Sequence, residues 1–138
     1  MNSELDKKLV EKYPKIFRDR FGDPKETLMC WGFDVGDGWY KIIDSLCGQI
    51  QHHIDWAQDQ KEKYNRGEGC SQVIAVQVKE KFGGLRFYYD GGDNMIYGMV
   101  RMAESWAANT CEVCGERGEL RNDHNWLYTA CDNHERKK

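Results

Sequence analysis

The chain has 138 residues, and its 20 basic and 23 acidic side chains leave no surplus of Lys and Arg with which to wrap a polyphosphate. A net charge of −3 is equally far from that of an acidic DNA mimic. Apolar residues make up 40% of the chain, enough for one buried core, and with only two prolines and no Ser/Gly linker two freely tethered domains are not expected.

The opening stretch MNSELDKKLVEK carries no apolar run behind its charges, so no secretory leader is expected. Nor does any run approach the roughly 18 apolar residues of a bilayer span. The expected setting is a reducing cytoplasm, where thiols stay free or hold metal.

Ser3, with Asp6 three positions on, predicts the start of a first helix whose inner face carries Leu5, Leu9 and Val10. Pro14 ends it, and Ile16 and Phe17 make a second short apolar contact. Gly22 to Gly38 reads as a long ordered loop. Asp37 then caps a helix over about 38–64, because Trp39, Ile42, Ile43, Leu46, Ile50, Ile54 and Ala57 recur at three- and four-residue spacing. Beyond Gly67 and Gly69 the period changes to two. Ile74, Val76 and Val78 alternate with Ala75, Gln77 and Lys79, Gly83-Gly84 turns the chain, and Leu85, Phe87 and Tyr89 alternate on the return strand. After Gly91-Gly92, Asp93 caps a third main helix with Met95, Ile96, Met99, Val100, Ala103, Trp106 and Ala107 on its inner face. This order predicts an α+β fold in which helices cover a small antiparallel sheet, a body over residues 1–108.

Residues 109–138 are of another kind. Cys111-x2-Cys114 and Cys131-x2-His134 stand 16 residues apart, the spacing at which two short knuckles converge on one tetrahedral ion while the intervening chain forms a hairpin around Asn122-Asp123. Gly115 directly after the first pair suits a tight knuckle that needs positive φ. Four protein ligands close the coordination sphere, so the expected cofactor is structural Zn2+, whose binding energy becomes folding energy for a segment poor in apolar residues. His124 is the alternative to His134 as fourth ligand. Cys30, Cys47 and Cys70 are scattered and read as small buried apolar thiols, and His52 and His53 as packing or solvated residues.

Two further surfaces are candidates for binding. The loop from Cys30 to Tyr40 gathers Trp31, Asp34, Asp37 and Trp39 among three glycines, which suits either a pocket for a flat ligand or a fold over the core. Lys79, Lys81 and Arg86 make the hairpin basic, fit either to contact an acidic partner or to protect an edge strand. The Met95, Met99, Met102 stripe reads as core.

Asp123-His124 between the two ligand pairs resembles the Asp-His of HNH nucleases, in which the His activates water beside a second metal. The likeness covers only 111–134, and the six residues between His124 and Cys131 leave no room for the usual strand and helix. Zinc deaminases place a His-x-Glu ahead of the Cys pair, which this chain lacks, and there is no phosphate-binding Gly-rich loop or nucleophile elbow. From Ser105 onward acidic residues slightly outnumber basic ones, so a nucleic-acid-binding zinc module lacks its positive stripe.

With the aromatic loop, the VKEKFGGLRFYY hairpin at 78–89 and the terminal Cys/His knuckles, most of the chain from Tyr13-Pro14 onward resembles uncharacterised small zinc-knuckle proteins of bacteriophage and prophage genomes. The resemblance implies action in a host cytoplasm on a defence or regulatory component, and no particular chemistry. The reading is thus a non-enzymatic binding protein that recognises a host protein or a small nucleotide signal, with an HNH-like nuclease or a nucleic-acid-binding zinc module as the alternatives.

Overall fold

The computed structural model describes residues 1–123 and 125–136. Helix α1 (Ser3–Lys12) starts one residue earlier than predicted, since Asn2 is the cap and its Oδ1 accepts from the Leu5 N–H at 2.9 Å. Asp37, expected to cap the long helix, instead holds this cap in place. Its two carboxylate oxygens accept from the Asn2 backbone N–H at 2.7 Å and from Nδ2 at 3.0 Å. Helix α2 (Tyr40–Tyr64) follows a short 3-10 turn over Asp37–Trp39 and has no side-chain cap. Its whole predicted stripe is buried, from Trp39 and Ile42 through Ile50 to Ala57.

The long loop contributes more structure than its composition suggests. Arg20 ties it to α1, pairing with Asp6 at 2.9 Å and donating to the Cys30 carbonyl at 2.8 Å. Phe33–Asp34 then forms strand β1, which runs parallel to β2 (Ile74–Lys81), Phe33 opposite Val78. Strand β3 (Gly84–Asp90) pairs antiparallel with β2, giving the sheet order β1-β2-β3. A parallel strand this short is set by what brackets it, not by its own sequence.

The β2-β3 hairpin departs from strict alternation at one point. Ala75 faces Tyr89 but Gln77 faces Tyr88, so Val76 is an extra residue, a β-bulge. The bulge shifts the inward set: Val73, Ala75 and Val78 are buried with Leu85 and Phe87, and Ile74 and Val76 are only half-buried. The turn also moves by one residue. Lys81 pairs with Gly84, so Phe82 and Gly83 are its two central residues, at φ 54° and 82°. Such a pair of positive φ angles matches the twist of a two-residue hairpin, yet it is an uncommon conformation for an aromatic residue.

Helix α3 (Asn94–Ala107) is capped by Asp93 as predicted, Oδ1 accepting from the Ile96 N–H at 3.1 Å. It buries a narrower stripe than expected: Ile96, Val100, Ala103 and Ala107 face the core, and Met95, Met102 and Trp106 stay exposed. A two-stranded antiparallel hairpin, β4 (Glu119–Asp123) and β5 (Trp126–Ala130), closes the described chain. The fold is α+β, and among the described residues no helix is long and apolar enough to cross a membrane.

Candidate metal centre

The two ligand pairs lie on two different local structures. Cys111 and Cys114 bracket a tight knuckle in which the Gly115 N–H donates to the Cys111 carbonyl at 2.9 Å, with Gly115 at φ 83° as its position requires. Cys131 precedes a 3-10 turn over Asp132–His134, closed by the His134 N–H on the Cys131 carbonyl at 3.1 Å. Strands β4 and β5 supply the length between them. Arg121 on β4 reaches across to the Ala130 carbonyl at 3.1 Å and to Asp132 at 2.8 Å, holding the second turn against the hairpin.

This folding brings Cys111, Cys114, Cys131 and His134 together, with one donor atom from each lying within 4.8 Å of the others. Cys114 and Cys131 Sγ are 3.7 Å apart, and His134 Nδ1 is 3.8 Å from Cys111 Sγ and 3.2 Å from Cys131 Sγ. Tetrahedral zinc with Zn–S bonds of about 2.3 Å would place its thiolates ~3.8 Å apart. The four groups therefore stand near the corners of a metal-sized tetrahedron. Burial alone would push the Cys111 thiol up. The backbone N–H groups of Cys131, Cys114 and Val113 outweigh it and hold Cys111 down at about 6, which favours the thiolate form that binds metal. His124 lies outside the described residues, so neither its rival claim as a ligand nor its nuclease role is placed. The neighbouring Asp123 is committed elsewhere, accepting from the Tyr128 hydroxyl at 2.6 Å.

The metal knuckle is docked on the body through the very loop that was a binding candidate. The Gly36 N–H donates to Glu112 Oε2 at 2.9 Å and the Gly38 N–H to the Glu112 carbonyl at 2.8 Å. Trp39 is fully buried, and its indole N–H donates to the Thr110 carbonyl at 2.9 Å. A Cβ on Gly38 would stand 2.1 Å from the Cys111 carbonyl oxygen, so only glycine permits this approach. A second contact is made by β5: Thr129 Oγ1, buried, donates to the Gly83 carbonyl at 2.7 Å and joins the C-terminal hairpin to the β2-β3 turn.

The remaining predicted binding residues are spread over several elements. Trp31 is 73% exposed, Asp34 is exposed beside β2 opposite Lys79, and Asp37 serves the α1 cap. Lys79 and Arg86 are paired across the sheet on the side away from the inward Val78 and Phe87, and Lys81 continues on that outer side.

What the sequence did not announce is a cleft where the two hairpins meet. It has a volume of about 520 Å³ and is lined by Glu80, Phe82, Asn122, Asn125, Trp126 and Leu127, mostly with apolar surface. Phe82, within the β2-β3 turn, is 69% exposed, and Trp126, at the start of β5, is 63% exposed. Their proximity depends on the docking of one hairpin on the other, which no local pattern records. Comparison with protein-family models, with curated proteins and with solved structures finds no match.

Proposed function

We propose that the chain is a non-enzymatic binding protein, stabilised by one structural Zn2+ on Cys111, Cys114, Cys131 and His134, that recognises a host protein through the cleft between its two hairpins. The donor set of three thiols and one imidazole favours zinc among the common divalent ions, and four protein ligands leave no position for a substrate. The observation that carries the reading is the pair of exposed aromatics, Phe82 and Trp126, beside a mostly apolar cleft. Aromatic side chains that are solvated in the free protein and framed by amides are the usual anchors of protein–protein interfaces. A nucleotide fits less well, because among the described residues those lining the cleft include Glu80 and no cation, although Lys81 lies over the Phe82 ring at its edge. The resemblance to phage and prophage proteins supports a setting in a host cytoplasm and a counter-defence role.

The test is co-purification from a bacterial host with the parent chain, a Phe82→Ala/Trp126→Ala double variant and a Lys79→Ala/Arg86→Ala double variant. Capture of one defined host protein, lost with the aromatic pair and kept with the basic pair, is the expected result. Capture that ignores Phe82 and Trp126, or a thermal shift with nucleotides and no captured protein, overturns it. Metal quantitation on the parent and Cys111→Ser chains checks the ion.

A further inference from the structure

His53, Cys70 and Asp93 are far apart in the sequence and belong to three different elements: the interior of α2, the loop after it, and the cap of α3. The fold nevertheless places one donor atom of each within 4.8 Å of the other two. His53 Nε2 lies 2.8 Å from Asp93 Oδ2, and the imidazole is held in orientation by stacking on Trp56, ring centroids 6.1 Å apart. Asp93 spends Oδ1 on the cap of α3, which fixes the carboxylate and leaves Oδ2 turned to the cluster. Cys70 is buried beside them, its Sγ making a long contact, 3.7 Å, to the Ser71 carbonyl and interacting with the Asp93 carboxylate. The loops that converge here are tied to each other, since the Gly92 N–H donates to both the carbonyl and the hydroxyl of Ser71, at 3.1 and 3.0 Å.

We propose that His53, Cys70 and Asp93 form a second metal site, distinct from the Cys/His centre, that takes a zinc-class divalent transition ion on three protein ligands and leaves a fourth position open. One nitrogen, one sulfur and one carboxylate oxygen form a donor set that zinc-class ions accept, and three protein ligands with an open position are the arrangement of sites that hold water or a small ligand. His53 and Asp93 themselves line a cavity of about 330 Å³, together with Trp56, Gln60, Arg66 and Glu68. A cap needs only the Asp, and a helix-to-helix tie needs only the His–Asp pair; neither accounts for the buried thiol completing the triangle. A catalytic thiol is the poorer reading. Burial, and then the Asp93 charge, push Cys70 up to about 11, and the His53 nitrogen that could act as its base is engaged with Asp93. On binding, the metal replaces the Cys70 thiol proton, which leaves to solvent, and takes the Nε2 lone pair of neutral His53, whose ring proton is then carried on Nδ1.

Cobalt(II) titration of the whole chain, read by visible absorption and by bound metal per chain, tests this. The parent should take up two ions per chain, the second more weakly. Cys70→Ser and His53→Gln should each lose that second ion, and the first should persist. Asp93→Asn keeps a good helix cap, so it should fold as the parent does and still bind the second ion at least tenfold more weakly. A parent that saturates at one ion lost only with Cys111→Ser overturns the proposal. So does a second ion unaffected by all three variants. A chain that fails to bind at Cys111 yet responds to Cys70→Ser would leave this site standing and remove the other.

Discussion

The body and the C-terminal hairpin reach order by different means. In the body, α2, α3 and the sheet share one continuous core that includes Trp39, Ile43, Ile50, Val78, Leu85 and Ile96, each essentially fully buried. At about 1.5–3 kcal/mol for each large side chain, such a core suffices to organise the elements around it. Among the described residues, the apolar cluster of the C-terminal hairpin consists of Cys111, Tyr128 and Ala130, with Cys131 packed against them. Three small contacts cannot offset the entropy of ordering some 25 residues at about 1–2 kcal/mol each. On the proposed reading, a metal bound at Cys111, Cys114, Cys131 and His134 would supply here the stabilisation that apolar burial supplies in the body.

Stripping the metal should have the largest effect. A chelator, or Cys111→Ser, removes binding energy on the order of 10 kcal/mol that acts as folding energy. Amide hydrogen exchange should then show protection lost across Glu119–Ala130 and retained in α2. If the metal-free chain keeps both sets protected, the contrast between the two regions is wrong. A cavity in the body should come next. Ile50→Ala, at a fully buried position, should cost about 2–5 kcal/mol in denaturant unfolding while the bound metal per folded chain stays unchanged.

Gly38→Ala probes the joint between the regions. Its methyl group would collide with the Cys111 carbonyl oxygen, so a loss of about 1–3 kcal/mol and faster transfer of zinc to a competing chelator are expected. Unaltered zinc release would mean the docking does not support the metal centre. The smallest effect concerns pH and belongs to the body alone. Burial, and then the Asp44 carboxylate, which accepts from its hydroxyl at 2.6 Å, push the Tyr13 phenol up to about 12. An unfolded tyrosine titrates near 10, so this group's contribution is complete below roughly that pH and is lost as pH rises through about 12. Tyr13→Phe should flatten that alkaline decline in thermal stability. A decline of the same steepness in the variant would assign it to another group.

Local pattern alone determined the α2 stripe, the Asp93 cap, the existence of the β2-β3 hairpin and the convergence of Cys111, Cys114, Cys131 and His134. Each rests on a short-range rule: a helical period, an alternation of two, a cap within one turn, or a pair of ligands two residues apart. Tertiary structure decided what depends on which surfaces meet. It moved Asp37 from α2 to the cap of α1, made Phe33–Asp34 a strand by laying it beside β2, and buried Trp39 under Thr110. It also turned Met95 and Met102 outward, set Phe82 beside Trp126, and brought His53 to Cys70 and Asp93, a residue read as solvated or merely packed. Those choices are made by packing between segments remote in sequence, where neither the period of a helix nor the spacing of a knuckle has any reach.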